Sequence, residues 1–409
     1  MNRFLTKRNV LFLLTVLFFF IAWNRTINLL YAMFALLAAT LVLAHVLPRY
    51  SLRGVVASRT LPTTAFEGDL VDVCIDVRNS GIAGRSMIEV VDTFPAAGPG
   101  ARAPMTFIAR LAGRKKRSYS FKLQCYKRGE YQIGPLALMS SYPLGISTAR
   151  KEMFGSNVPL LVFPEVFDIV KLPLVSGSAA PMSGVEAASK SGGSEEFFGT
   201  REYRQGDSLR YIHWPSTARH SQLIVKEFEI RASVEVTIVI DLHRKSESGK
   251  GKETTLEYAV KIAASTAKYS LDRSHTVQLV CFGKDERIIP AAKGFSQLAS
   301  ILEALAKVRA DGNVSFPQAV NRASEMMRDG STAVLVFSDA FLARDQLSYS
   351  LNLLKARRIR PVCVVLDDKS FSEAGDNKSA CAAPQGLITD GIPSYRISRG
   401  TSLREVFAL

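Results

Sequence analysis

The stretch Val234–Leu242, VEVTIVIDL, decides the fold of the C-terminal half of this chain. It is a near-continuous apolar run with Asp241 at its end. A strand with one wet face would alternate apolar and polar residues, so this run reads as a parallel strand buried on both faces. Downstream, strand-like and helix-like spacings take turns. Thr255–Leu271 carries Leu256, Ala259, Val260, Ala263 and Ala267 at helical intervals. Then follow a strand at Thr276–Phe282, a short strand at Arg287–Pro290 and helices at Phe295–Ala306 and Phe316–Arg328. Strand Ala333–Asp339, helix Arg344–Arg357, strand Arg360–Leu366, a strand near Ser394–Ile397 and a last helix at Ser402–Leu409 complete the pattern. Such alternation implies a doubly wound parallel α/β sheet over residues 232–409.

Immediately upstream lies a different kind of sequence, residues 192–231: GGSEEFFGTREYRQGDSLRYIHWPSTARHSQLIVKEFEIR. It combines dense mixed charge (Arg201, Arg204, Asp207, Arg210, Arg219) with rings (Tyr203, Tyr211, Trp214). A guanidinium can pair with a carboxylate and stack on a ring at once, so such a stretch makes a rigid surface rather than a linker. Residues 165–191, with their VSGSAAPMSGVEAASKS tail, lose periodicity and gain Ser, Gly and Ala, the composition of a flexible connector.

Residues 51–164 read as all-β. Val71–Val77 alternates strictly, and Gly68-Asp69 and Asn79-Ser80-Gly81 bracket it as turns. Similar runs at Met87–Val91, Met105–Leu111, Ser118–Cys125, Tyr131–Ile133, Leu136–Ser140 and Leu160–Phe163 suggest an antiparallel β-sandwich. Arg114-Lys115-Lys116-Arg117 falls between two of these strands, either as a solvated hairpin tip or as a contact for lipid headgroups.

The first 50 residues hold two apolar runs, about 10–23 and 27–47, read as a transmembrane helical hairpin. The second run follows the first at once and no small-residue cleavage site intervenes, which argues against a removed signal peptide. Arg3, Lys7 and Arg8 precede the pair and Arg49, Arg53 and Arg59 follow it, whereas only Arg25 lies in the turn. Both ends are therefore expected on the cytoplasmic side of a bacterial inner membrane, with the soluble domains there too. The five cysteines, Cys74, Cys125, Cys281, Cys363 and Cys381, form no metal spacing and fit a reducing compartment. The formal charge of +15 is spread along the chain, so no nucleic-acid partner is expected.

In open parallel sheets, ligands sit at the carboxyl ends of the strands. Asp241 and Asp339 end two of them, a placement that resembles the metal-ion-dependent adhesion site of von Willebrand factor A domains. That resemblance implies a Rossmann-like fold. The site itself is degenerate: His243 and Lys245 stand at its serine positions and Val314 at its threonine position. A hard cation needs several oxygens, and these replacements remove them, so no metal or other cofactor is expected. Asp241 is expected to cap the following loop and to pair with Arg244 or Lys245.

Glu196-Phe197, Arg201-Glu202-Tyr203, Gly206-Asp207, Arg210, Ile212-His213-Trp214, Ala218-Arg219 and Leu223–Glu227 resemble the signature of the domain-of-unknown-function 58 family. Phe66-Glu67-Gly68, Lys127–Tyr131, Gly134-Pro135-Leu136 and Tyr142–Gly145 fit its upstream pattern, and Pro215-Ser216 departs from it. The resemblance implies a membrane hairpin, a β-sandwich and an A-like domain, and a non-enzymatic adaptor or scaffold partnered by a MoxR-type AAA+ ATPase. Arg201, Tyr203, Arg204, Asp207, Arg210, Trp214 and Arg219 then serve either as a clasp at the domain junction or as a partner surface. The chain lacks a phosphate loop, a dinucleotide fingerprint and a nucleophile elbow, and no enzyme is expected. A metal-dependent adhesion module and an envelope hydrolase or transferase are the competing classes.

Overall fold

The computed structural model of the chain describes residues 7–25, 27–101, 104–174, 195–205, 207, 209–220, 222–230, 234–340, 342–372 and 391–408. Side chains at 195–199, 220 and 227–230 are not described. The chain forms two compact units, Met1–Phe163 and Pro164–Leu409.

The first unit begins with helices α1 (Lys7–Arg25) and α2 (Asn28–Leu52), of 19 and 25 residues. At 1.5 Å per residue they are roughly 28 and 37 Å long, and both are long and apolar enough to cross a membrane. Phe19 packs on Phe34 across the hairpin at 5.1 Å. The expected second span stops at 47, but α2 continues through Pro48. Proline cannot donate to the preceding turn; one residue on, Arg49 Nη1 donates to the His45 carbonyl at 2.7 Å.

Ten short strands follow: β1 (Val55–Thr60), β2 (Thr64–Phe66), β3 (Leu70–Asn79), β4 (Arg85–Val91), β5 (Met105–Leu111), β6 (Lys116–Gln124), β7 (Gly129–Ile133), β8 (Ala137–Ser140), β9 (Ala149–Glu152) and β10 (Val158–Phe163). They form three small sheets, in the orders β1-β3-β6, β5-β4-β8-β9 and β2-β10-β7. All pair antiparallel except β2 with β10. Hairpins force antiparallel pairing, but these two strands lie far apart in sequence and are free of that constraint. The inward residues, such as Val73, Ile75, Ile88, Ile108, Leu138 and Leu160, close a single core. β1, β2 and β9 have little apolar alternation and escape a reading based on period alone. Through this unit runs a buried cation: the Arg59 guanidinium pairs with Asp92 and also donates to the Ile133 and Ser156 carbonyls. Both side chains are almost wholly inaccessible, so each charge depends on the other.

The second unit opens with residues 164–174, of which composition placed 165–174 in the connector. They are instead strapped along α4 (Thr255–Asp272). Phe167, Ile169 and Leu172 are buried, the Phe167 N–H donates to Ser265 Oγ at 2.9 Å, and Lys261 and Lys268 pair with Glu165 and Asp168. The alternation of these apolar residues is the signal that the Ser/Gly-rich tail obscured; the remainder, 175–191, lies outside the described residues.

A two-stranded pair follows, β11 (Glu195–Glu202) with β12 (Ile224–Ile230), joined by a loop carrying helix α3 (Trp214–His220). Then come β13 (Glu235–Ile240), the small hairpin β14 (Gly249–Lys250) and β15 (Glu253–Thr254), α4, β16 (Thr276–Phe282), β17 (Glu286–Ala292), α5 (Phe295–Lys307) and α6 (Phe316–Met326). The chain ends with β18 (Thr332–Ser338), α7 (Arg344–Ala356), β19 (Arg360–Leu366), α8 (Asp368–Phe371), β20 (Ser394–Ile397) and α9 (Leu403–Val406). The expected helix Phe316–Arg328 stops at Met326 because Met327 is extended and Gly330 turns with positive φ. The last helix shrinks to Leu403–Val406.

The sheet order is β17-β16-β13-β18-β19-β20, parallel except for β17. α4 touches β13, β16, β18 and β19 and packs on α5, whereas α6 packs on α7 and on β13 and β16. One face gives Val239, Val280, Leu335 and Val365 to the core with Phe316 and Leu351. Residues of the opposite pleat, such as Val236, Ile238, Val334 and Val364, are equally buried. The edge strand β17 contains Pro290, and its register with β16 is broken between Val277 and Leu279.

Replacing Asp92 with Ala strands the Arg59 charge and should lower unfolding stability by about 3–5 kcal/mol. Chemical denaturation in detergent measures it; a loss under about 1 kcal/mol would show that the Arg59 guanidinium finds water in the folded unit.

Candidate functional site

The loop between β11 and β12 is built like a clamp. Thr200, Arg201 and Glu202 pair with Lys226, Val225 and Ile224. The Tyr203 N–H extends this ladder to the Leu223 carbonyl at 2.8 Å, and the His213 N–H reaches the Ile224 carbonyl at 2.8 Å. Ile212 bridges to Val225 on its other side, and both are buried. The two planar ends of Arg201 and Asp207 meet fork to fork. Nη1 donates to Oδ2 and Nη2 to Oδ1, each at 2.7 Å, and the Arg204 N–H adds a third bond to Oδ2 at 2.8 Å. The Arg201 bonds first, then the Arg204 N–H, hold the Asp207 carboxyl below the usual carboxylate range. Arg201 thus fastens its own loop, using a partner six residues on.

That internal fastening sets the outward face. Leu209, Trp214 and Leu223 are exposed, Trp214 by 65%, and so are Arg204, Arg210 and Arg219. The Arg210 guanidinium lies over the Tyr211 ring at 5.5 Å. At the start of α3, His213 Nδ1 and Ser216 Oγ are 2.7 Å apart, and Thr217 Oγ1 accepts from the Ile224 N–H. Both oxygens of Asp207 accept from Arg201, at the other end of the loop segment that leads to α3.

A second cluster lies at the carboxyl ends of the sheet. The chain leaves β13 towards β16 and β17, then returns to β18 on the other side, so the strand order switches between β13 and β18. Asp241 and Asp339 stand at those two ends. Asp241 Oδ1 accepts from the His243 N–H at 3.0 Å, which caps the loop as expected. Burial pushes its carboxyl up, against the pull of the His243 N–H and the Ser246 hydroxyl. Asp241, His243, Ser246 and Glu247 line a recess with room for about one water. Lys245 is exposed, and its N–H donates to His243 Nδ1 at 3.2 Å.

Asp339 is held separately. Its Oδ1 accepts from the Asp368 N–H at 2.8 Å, and Arg396 reaches both Asp339 and Asp367, at 3.6 and 3.1 Å. Burial pushes the Asp339 carboxyl up, and the Asp367 charge adds to this. The Gly312–Ser315 loop is drawn to Leu242 by the Gly312 N–H at 2.9 Å, so closely that a Cβ on Gly312 would strike the Phe282 carbonyl. Val314 packs against the core instead of offering an oxygen. Among the described residues no group of three or more His, Cys, Asp or Glu is gathered as metal ligands. Sequence reading missed Asp367, Asp368 and Arg396; the signal was there, since Asp367-Asp368 closes β19 as Asp339 closes β18. Burial pushes the Cys125 and Cys363 thiols up to about 11 and about 12, which leaves them protonated and unreactive at neutral pH.

Asp207 and Asp241 should titrate on opposite sides of the ordinary aspartate value of about 3.9. Asp207, with a depressed pKa, stabilises the fold above its unfolded value and loses this as pH falls through the folded one. Asp241, with a raised pKa, does the reverse and loses its contribution as pH rises. Carboxyl NMR titration in detergent should show the Asp207 midpoint rising in Arg201→Ala; an unchanged midpoint would mean that Arg201 does not set it.

Residues 199–372 match the model of a family described as protein of unknown function DUF58. The uncharacterized protein YeaD of Bacillus subtilis (strain 168) is 23% identical over 279 residues, which cover 66% of this chain; the chain likewise spans 66% of YeaD, just under two thirds. Solved structures align only in part. A CARDB domain from Pyrococcus furiosus, 13% identical, covers 27% of this chain and 94% of its own at a TM-score of 0.19. A β-glucosidase from Listeria innocua, also 13% identical, covers 25% of this chain and 16% of its own at a TM-score of 0.16. Residues 199–372, which hold the clamp loop and five strands of the six-stranded sheet, are thus similar to the DUF58 family.

Proposed function

We propose that this protein is a membrane-anchored, non-enzymatic adaptor whose partner is an AAA+ ATPase of the MoxR type. In this reading α1 and α2 form a two-pass anchor, both of its ends face the cytoplasm, the first unit is a β-sandwich and the second a degenerate von Willebrand A-like domain. The observation that carries it is the clamp loop. Arg201 and Asp207 satisfy one another internally, and the rigid loop presents Leu209, Arg210, Trp214 and Leu223 to solvent. Exposed Trp and Arg on a preorganised frame are the composition of interface anchors, because little side-chain and loop entropy remains to be lost on binding. The partner's identity comes from the family resemblance. The ATPase requires ATP, which agrees with a cytoplasmic placement.

The strand ends speak for binding by shape rather than by metal. Lys245 and Val314 bring no oxygens to the adhesion-site positions, and Asp241 and Asp339 already accept backbone N–H groups.

The test is a tagged pull-down from gently solubilised membranes, with ATP present and its hydrolysis blocked. An AAA+ ATPase should co-purify with the wild type and with Asp241→Ala/Lys245→Ala. Recovery should fall at least tenfold with Arg210→Glu/Trp214→Ala. Loss only in the Asp241/Lys245 variant would move the contact to the sheet's carboxyl edge. Absence of any ATPase from the wild type at every salt concentration would end the adaptor reading.

A further inference from the structure

The last turn of α2 is docked on the first unit. Leu52 is buried in that unit's core, and Ser51 Oγ donates to the Ser86 carbonyl. The edge of the unit around this point is therefore fixed to the helix at the level where its apolar run ends. Backbone bonds gather two loops there. The Ser80 N–H donates to the Gly54 carbonyl at 2.8 Å, the Arg114 N–H to the Gly81 carbonyl at 3.0 Å and the Asn79 N–H to the Lys115 carbonyl at 3.0 Å.

The side chains brought together in this way are basic. Arg49 and Arg53 at the helix exit, and Arg114, Lys115 and Arg117 in the β5–β6 turn and the start of β6, are exposed. Lys116 alternates with them and pairs with Asp76 at 2.9 Å. Arg85 sits at the base of this group. Its guanidinium stacks on the Tyr50 ring at 4.1 Å, with Nε and Nη1 buried and lacking hydrogen-bond partners. The residue is only 7% exposed, and its remaining nitrogen lies against Gly81. At the tip of the same loop Ile82 stands 81% exposed.

A buried guanidinium with unmade bonds is costly unless an anion approaches it. Tyrosine at a helix end and arginines around it are the side chains that favour the headgroup level of a bilayer. Phosphodiester oxygens at that level would face the arginine forks, while Ile82 would reach the acyl boundary. Accordingly, we infer that this edge is a binding surface for anionic phospholipid headgroups in the leaflet from which α2 emerges. The inference rests on the membrane-anchor reading above, and it assigns the Arg114–Arg117 turn to lipid rather than to open solvent.

The full-length protein, in micelles holding equal phosphatidylglycerol and phosphatidylcholine, is analysed by native mass spectrometry for retained lipid. The wild type should retain phosphatidylglycerol at least fivefold over phosphatidylcholine. Arg114→Glu/Lys115→Glu/Arg117→Glu should abolish the preference, and Arg85→Lys, which keeps the charge but loses the planar fork, should reduce it at least threefold. Lys307→Glu/Arg322→Glu/Arg328→Glu, in the second unit, should leave it unchanged; circular dichroism melting checks that each variant folds. Equal retention of the two lipids by the wild type overturns the inference, as does a preference untouched by the turn variant or abolished equally by the control. Alkaline carbonate extraction of cell membranes tests the anchor separately. Release of the chain by carbonate would overturn the anchor reading, while lipid retention still decides the headgroup site.

Discussion

The constraint on which the second unit depends is that a parallel sheet cannot leave a face wet. β13, β18 and β19 bury nearly every residue, so helices must cover both sides, and right-handed crossovers must carry the chain between strands. Once the chain has stepped from β13 to β16 and returned to β18, the strand order has to switch between them. The position of Asp241 and Asp339 follows from that switch. What occupies the crevice does not follow, and here loop residues decide. Val314 packs against the core, Asp241 accepts the His243 N–H, and Arg396 supplies a positive charge between Asp339 and Asp367.

In the signature stretch the same principle works at smaller scale. Arg201 and Asp207 are the only fork-to-fork pair described in the loop, and with the Arg204 N–H they fix the turn before α3. A loop fastened by its own charges can hold apolar and aromatic groups out in water without collapsing onto them. Trp214, whose ring would be drawn inward in a slack loop, stays exposed.

The parallel sheet was legible because its signals are local and strong. Thr276–Phe282 and Arg360–Leu366 were bounded to the residue, since a run buried on both faces ends abruptly where polar residues begin. In the first unit Val71–Val77 was equally plain, its burial alternating along β3 as its sequence does. Pairing partners were not legible. Nothing in Thr64–Phe66 announces that it lies parallel to β10, nor does Arg59 announce Asp92, because such contacts join residues far apart in the chain. Composition misled at 165–174: charged residues interleave with Phe167, Ile169 and Leu172, and they find their partners on α4. At the candidate site, the residue types of the clamp could be named from sequence, but the Arg201–Asp207 geometry that makes it rigid could not.

The margins of the six-stranded sheet limit how anything can attach to it. On one side β17 carries a proline and a broken register; on the other β20 is only four residues long. Neither offers the unbroken row of N–H and C=O groups that an incoming strand needs for main-chain pairing. Recognition by this sheet is therefore confined to side-chain surfaces. A partner has to read shape and charge, and cannot dock simply by adding another strand, a mode that is tolerant of sequence and prone to runaway association.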